Sequence, residues 1–252
     1  MTQAKPNYAR LQNAADRISP EAMELYWQNS KHRTCDAVAA IEAALPAVAA
    51  LNRPYIDCER VLDWLASMVR NGGENARYAA EALGKMGEKA ATDPVLDALV
   101  EMVRNGGENA RYAANALGKM GEKAASRPVL DALVKMVREG GDNAWVVAEA
   151  LGQMGEKAAT DRVLDALVKM VRKGGDNAYY AANALGKMGE KAATDPVLDA
   201  LVEMVREGGR NALYAAEALG KIGEKAATDP VLDALVEIVR EGGNNEIGRA
   251  HV

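Results

Sequence analysis

The string Val-Leu-Asp stands at Val61, Val95, Val129, Val163, Val197 and Val231, 34 residues apart each time. Residues 61–94 and 95–128 are identical at 28 of 34 positions. A chain that restates itself at this interval does not gather its apolar residues around one centre. Each unit buries its surface against the next copy, so the expected fold is a stack that grows in one dimension. The closeness of the copies fits a designed consensus or a recent internal duplication, and the irregular N-terminus, with Trp27, Cys35 and Cys58, favours duplication.

Each unit holds two helical patterns. The first is "DPVLDALVEMVRNGG", with Asp93 placed to cap it and Pro94 suited to its first turn. Val95, Leu96, Leu99, Val100, Met102 and Val103 recur at helical spacing, on a face broad enough to touch two neighbours. Gly106 and Gly107 are expected to end it. The second pattern is "NARYAAEALGKMG", with Ala76, Ala79, Ala80, Leu83 and Met86 on one side and Gly87 as its stop. "EKAATDP" returns the chain to the next unit. The composition agrees: 49% of residues are hydrophobic and Phe is absent, so Ala, Leu, Val and Met carry the core. Recurrent Met is read as gap filler between layers.

The second helix resembles the short HEAT-like repeats, including those of phycobilin lyase subunits and of designed HEAT-type scaffolds. Ala79, Ala80, Ala82, Leu83, Gly84 and Gly87 carry the match, and Met86 stands where the family has Ile. The usual Val-Arg pair is replaced by Asn75–Ala76. The 34-residue period equals that of TPR repeats, but the aromatic offsets of that pattern are missing. The resemblance covers about residues 61–243. It implies an all-α, right-handed α-solenoid of helix hairpins: five full repeats starting at 61, 95, 129, 163 and 197, and a partial sixth from 231. Residues 1–60 fall outside the period and are read as a helical N-terminal cap or small domain. There "SPEAMELYWQNS" suggests a helix capped by Ser19, and "CDAVAAIEAALPAVAALN" a second one kinked at Pro46.

In a stack, identical joints need identical contact residues. Positions that change between copies lie outside the joints, in solvent or against a ligand. On the second helix one such row is Arg77, Arg111, Trp145, Tyr179 and Leu213. Beside it run Tyr78, Tyr112, Val146, Tyr180 and Tyr214. One turn on come Glu81, Asn115, Glu149, Asn183 and Glu217, then Lys85, Lys119, Gln153, Lys187 and Lys221. Positions i, i+4 and i+8 share a face, so the first, third and fourth rows form one surface. The resemblance implies that this helix lines the concave side and that its unfixed residues supply binding contacts. Trp145 and Tyr179 are the expected centre, since Trp, Tyr and Arg dominate interface hot spots. Glu81–Lys85 pairs by themselves mean only a solvated helix. The Tyr78 row is expected to be partly buried between layers.

Other recurrent residues have structural readings. The series Asn75, Asn109, Asn143, Asn177 and Asn211 is read as helix caps or a backbone-bonding ladder. A peptide-gripping role, as in the related armadillo repeats, is the alternative. The Asp63 and Arg70 series are expected to form an inter-unit ladder.

The totals exclude several classes of function. A net charge of −5 without a long basic run argues against nucleic acid and anionic membranes. The start, "MTQAKPNYARLQNAADRISP", has no apolar core of signal-peptide length, and no apolar stretch is long enough to span a bilayer. Two cysteines, Cys35 and Cys58, make no disulfide scaffold, so the expected setting is the cytoplasm. His32, Cys35 and Cys58 fall short of a zinc ligand set. The repeats contain no His, the only two being His32 and His251, and no nucleophile–base pair or phosphate loop stands out. The expectation is a non-catalytic scaffold for a protein or peptide, without cofactor. The alternatives are an enzyme subunit or accessory factor, on fold analogy alone, or a module that self-assembles through an open C-terminal end after Val231.

Overall fold

The computed structural model describes residues 58–141 and 143–249. These form eleven α-helices and no strand. The first hairpin is α1 (Cys58–Asn71) with α2 (Gly73–Met86), the second α3 (Asp93–Asn105) with α4 (Ala110–Lys119), and the third α5 (Arg127–Glu139) with α6 (Ala144–Gln153). The fourth is α7 (Asp161–Lys173) with α8 (Asp176–Lys187), the fifth α9 (Asp195–Arg206) with α10 (Gly209–Ile222), and α11 (Asp229–Arg249) starts a sixth. Each odd helix packs on its even partner and on the next odd helix, and each even helix packs on the next even helix. The result is an all-α solenoid. The even row makes the closer mutual contact.

Burial follows the repeated letters. Leu83, Leu117, Leu151 and Leu185 of the even helices, and Leu99, Leu133, Leu167 and Leu201 of the odd ones, are fully buried. Each contributes roughly 1.5–3 kcal/mol of transfer free energy. Met120, Met154 and Met188 are also fully buried between layers, with Ile222 in the same place in the fifth unit. Among the described residues no polar or charged side chain is buried.

Gly84 has a role beyond its place in the motif. A Cβ built on it would lie 2.9 Å from the Cα of Ala116. Gly118, Gly152 and Gly186 stand at 2.7, 2.9 and 3.0 Å from the Cα atoms of Ala150, Ala184 and Ala218. These glycines let consecutive even helices touch backbone to backbone. Gly220, the fifth copy, faces no further even helix among the described residues and has nothing within 4 Å.

The turns follow from the Gly pairs. Gly106 closes α3 at φ 70°, ψ −153°, a region essentially reserved for Gly. The last pair, Gly242–Gly243, lies inside α11. A Gly pair therefore permits the turn, and an even helix docking back along the stack completes it.

Several local expectations need correction. Thr92, not Asp93, precedes α3, and its side chain makes no capping hydrogen bond; its carbonyl accepts from the Leu96 amide at 2.9 Å. Asn75 lies inside α2, and neither Asn109 nor Asn143 caps through its side chain. Asn109 instead donates Nδ2 to the Gly73 carbonyl at 3.2 Å, across one joint. The Asp–Arg ladder forms between Arg138 and Asp165, at 3.4 Å. Arg172 turns to Glu203 at 3.2 Å, and Arg70 to the Pro94 carbonyl at 2.8 Å.

A more regular ladder runs along the short 3-10 turns. Glu88, Glu122, Glu156 and Glu190 meet Lys123, Lys157, Lys191 and Lys225 of the following unit at 3.5, 3.5, 3.7 and 3.3 Å. The expected helices at Ser19 and Pro46, the residues His32, Cys35 and His251, and the proposed cap fall outside the described residues.

Candidate functional site

The even helices turn their alanines inward. Ala76, Ala79 and Ala80 are fully buried in α2, which leaves Arg77 and Tyr78 at the edge of the joint, half-buried. The same register repeats in each hairpin, so the changing side chains line up across α2, α4, α6, α8 and α10.

They form a continuous stripe. In α2 the Arg77 guanidinium lies 4.5 Å from the centre of the Tyr78 ring and donates a hydrogen bond to the Tyr78 hydroxyl. It also lies 5.6 Å from the Tyr112 ring of α4. Arg111 repeats the pattern, 4.7 Å over Tyr112 and 2.8 Å from its hydroxyl. From α6 onward rings replace the guanidinium groups. Trp145 meets Tyr180 at 5.3 Å between centroids, Tyr180 meets Tyr179 at 4.9 Å, and Tyr179 meets Tyr214 at 4.1 Å. Trp145 is 39% exposed and Leu213 64%. Trp145 and Tyr179 thus communicate through Tyr180, which sequence spacing does not reveal.

Tyr78, Tyr112, Tyr180 and Tyr214 are half-buried and pack against the core, while Val146 in that row is buried. These tyrosines anchor the stripe to the stack. The Arg–Tyr pairing was missed from sequence. Its signal was there, in an Arg followed by Tyr in two consecutive copies.

The flanking row is polar. Glu81, Glu149 and Asn183 are half-buried, and Asn115 and Glu217 are exposed. Gln153 donates to Glu149 at 3.4 Å, and Lys221 bridges Glu217 at 2.7 Å and Asn183 at 3.2 Å. A shallow groove between α2 and α4 is lined by Glu81, Lys85, Tyr112, Asn115 and Lys119.

Charge on the two faces of the stack is handled differently. On the odd-helix side a groove between α5 and α7 is lined by Asp131, Lys135, Arg138 and Arg162. Its charges satisfy one another: Arg162 pairs with Asp131 at 3.0 Å, and Asp165 takes both Arg138 and Lys169. The hydrogen bond from Lys169, with help from Arg138, holds the Asp165 carboxyl below its usual value. On the even side no described carboxylate pairs with Arg77. Arg111 pairs only with the well-exposed Glu108, at 3.2 Å. The Nε atoms of both arginines are covered and lack an acceptor. The hydrogen bond with Tyr78 holds the Arg77 guanidinium above the ordinary arginine value, against a smaller effect of burial. Among the described residues no His, Cys, Asp or Glu cluster could hold a metal ion, and no helix is long and apolar enough to cross a membrane.

Comparison with known proteins agrees with the helical-repeat fold. The family model of the PBS lyase HEAT-like repeat matches three segments, residues 76–101, 178–203 and 212–237. Each segment opens in an even helix and closes in the following odd one. No curated protein matches the chain.

Proposed function

We propose, from the premise that this chain is built of HEAT-like repeats, that it is a non-catalytic scaffold whose even-helix face binds a protein or an extended peptide. HEAT-like repeats generally mediate protein interactions, and the fold is typically a non-catalytic scaffold. The observation that carries the reading is the stripe from Arg77 to Leu213. Along it the copies exchange arginine for aromatic and aliphatic side chains while the buried joints stay the same, whereas odd-helix positions such as Glu101, Lys135, Lys169 and Glu203 exchange only one charge for another. Its rings contact one another at tilted angles, and the stripe still offers Trp145 and Leu213 to solvent. The closer approach of the even helices supports an inner, concave position for it. In the same proposal the solenoid begins at residue 61 and residues 1–60 cover its first unit.

The test is affinity capture from a lysate of the source organism, with a Trp145→Ala/Tyr179→Ala double variant as control. The variant should keep its helical circular dichroism and lose the captured partner. Undiminished capture by the folded variant removes the reading.

A second reading rests on a different patch. Leu232, Val236 and Val239 are 48, 47 and 74% exposed, whereas Leu198, Val202 and Val205, one period earlier, are buried. In the interior the following unit covers these positions. A second copy of the chain is the occupant of matching shape, and Leu232→Lys/Val236→Lys should disrupt such a dimer. A strictly monomeric mass at high concentration in sedimentation equilibrium defeats this reading.

A further inference from the structure

The stripe is not uniform along its length. Its α2–α4 end carries two guanidinium groups held over tyrosine rings. Its α6–α10 end carries Trp145, Tyr179 and Leu213 and no cation in that row. Contact with tyrosine fixes each guanidinium, leaving Arg77 unneutralised and Arg111 with only its exposed pair to Glu108, and hydrogen bonding to the Tyr hydroxyl uses only one donor of several. Arg77 pairs with no described carboxylate, in contrast to Arg138, Arg162 and Arg172 on the other side of the stack. A fixed, unneutralised guanidinium is arranged to receive an anion, and carboxylate is the group its fork fits.

We propose that the face reads an extended peptide with a polarity: acidic side chains at Arg77 and Arg111, then aromatic or aliphatic side chains at Trp145, Tyr179 and Leu213. This rests on the binding-face reading above and specifies its ligand. The spacing sets the length. Closely packed helices lie about 8–10 Å apart, and an extended chain advances about 3.3 Å per residue. Successive helices therefore read side chains about three residues apart, and the stripe accommodates roughly ten to twelve residues. Nucleic acid would also bring anions to Arg77 and Arg111. The flanking Glu81, Glu149 and Glu217 and the net charge of −5 oppose a polyanion with a charge at every step.

The probe is a random dodecapeptide library displayed on phage, selected on the full chain, on Arg77→Gln/Arg111→Gln and on Trp145→Ala/Tyr179→Ala. The wild-type chain should enrich sequences with Asp or Glu in one half and aromatic or aliphatic residues in the other. Synthetic versions of these peptides should bind Arg77→Gln/Arg111→Gln at least tenfold more weakly, and their Glu→Gln forms should show the same loss on the wild type. Arg77→Glu/Arg111→Glu should shift the enriched half to Lys and Arg. Peptides that need Trp145 and Tyr179 but ignore both arginines overturn the polarity and leave the binding face standing. No enrichment, or binding indifferent to Trp145→Ala/Tyr179→Ala, overturns both. Tighter binding of a twenty-residue oligo-dT than of the selected peptides, lost in Arg77→Gln/Arg111→Gln, overturns the peptide assignment.

Discussion

Replacing Gly152 by Ala and, separately, Gly220 by Ala compares one letter of the repeat in two settings. Both glycines sit at the same place in an even helix, so the backbone benefit of Ala is common to them, about 0.5–1 kcal/mol in a helix. At Gly152 the new methyl would lie 2.9 Å from the Ala184 Cα, 3.2 Å from its Cβ and 3.3 Å from Lys187 Cδ. Carbon atoms rest about 3.5–4.0 Å apart. Lys187 can swing aside, but the Ala184 backbone cannot, so α6 and α8 must separate by several tenths of an ångström. Overpacking of this kind costs about 1–3 kcal/mol. The sum is a net loss of up to about 2.5 kcal/mol, centred near 1, for Gly152→Ala. At Gly220 nothing lies within 4 Å and the residue is exposed, so only the backbone benefit remains. Urea unfolding followed by circular dichroism should move the midpoint down for Gly152→Ala and leave it unchanged or raised for Gly220→Ala. Equal effects at the two positions, or a stabilised Gly152→Ala, would refute the claim that this glycine exists for helix–helix contact.

Further expectations concern the turns and the ladder. Gly106→Ala should destabilise by about 1–3 kcal/mol, because Ala does not tolerate the φ 70°, ψ −153° backbone there although space is open; thermal unfolding reads it. Glu122→Gln/Glu156→Gln should cost no more than about 1 kcal/mol per ion pair lost, since both partners are more than half exposed, and the difference from wild type should shrink in 1 M NaCl.

The architecture was legible because burial in a stack is repetitive. Leu83, Val95 and Leu99 recur for the same reason that they are buried, so their period and their role coincide. Gly84 was legible as a family letter but not as a contact. Its partner, Ala116, is a full unit away, and an interior helix Gly costs stability that only such a contact explains. The Glu88–Lys123 ladder escaped for a related reason. Charged residues in a return loop look like solvated surface until the offset of one period plus one residue is seen to repeat at every joint. The Asn series shows the opposite error. Strict recurrence suggested a common bond, yet among the described residues only Asn109 makes its bond across a joint. Trp145 and Tyr179 were visible as candidates because they break the repeat. Their link through Tyr180 depends on rotamers, which periodicity does not encode.

The glycine-to-alanine seam between even helices has a consequence for how such a chain changes over generations. Gly84 meets Ala116 as Gly118 meets Ala150, Gly152 meets Ala184 and Gly186 meets Ala218, so each of these four joints joins the same socket to the same plug. Removing or copying 34 residues by unequal recombination rejoins a matching pair wherever the cut falls. The stack heals, while the row from Arg77 to Leu213 gains, loses or reorders a character. A lineage can thus rewrite what the surface spells without reopening the question of whether it folds.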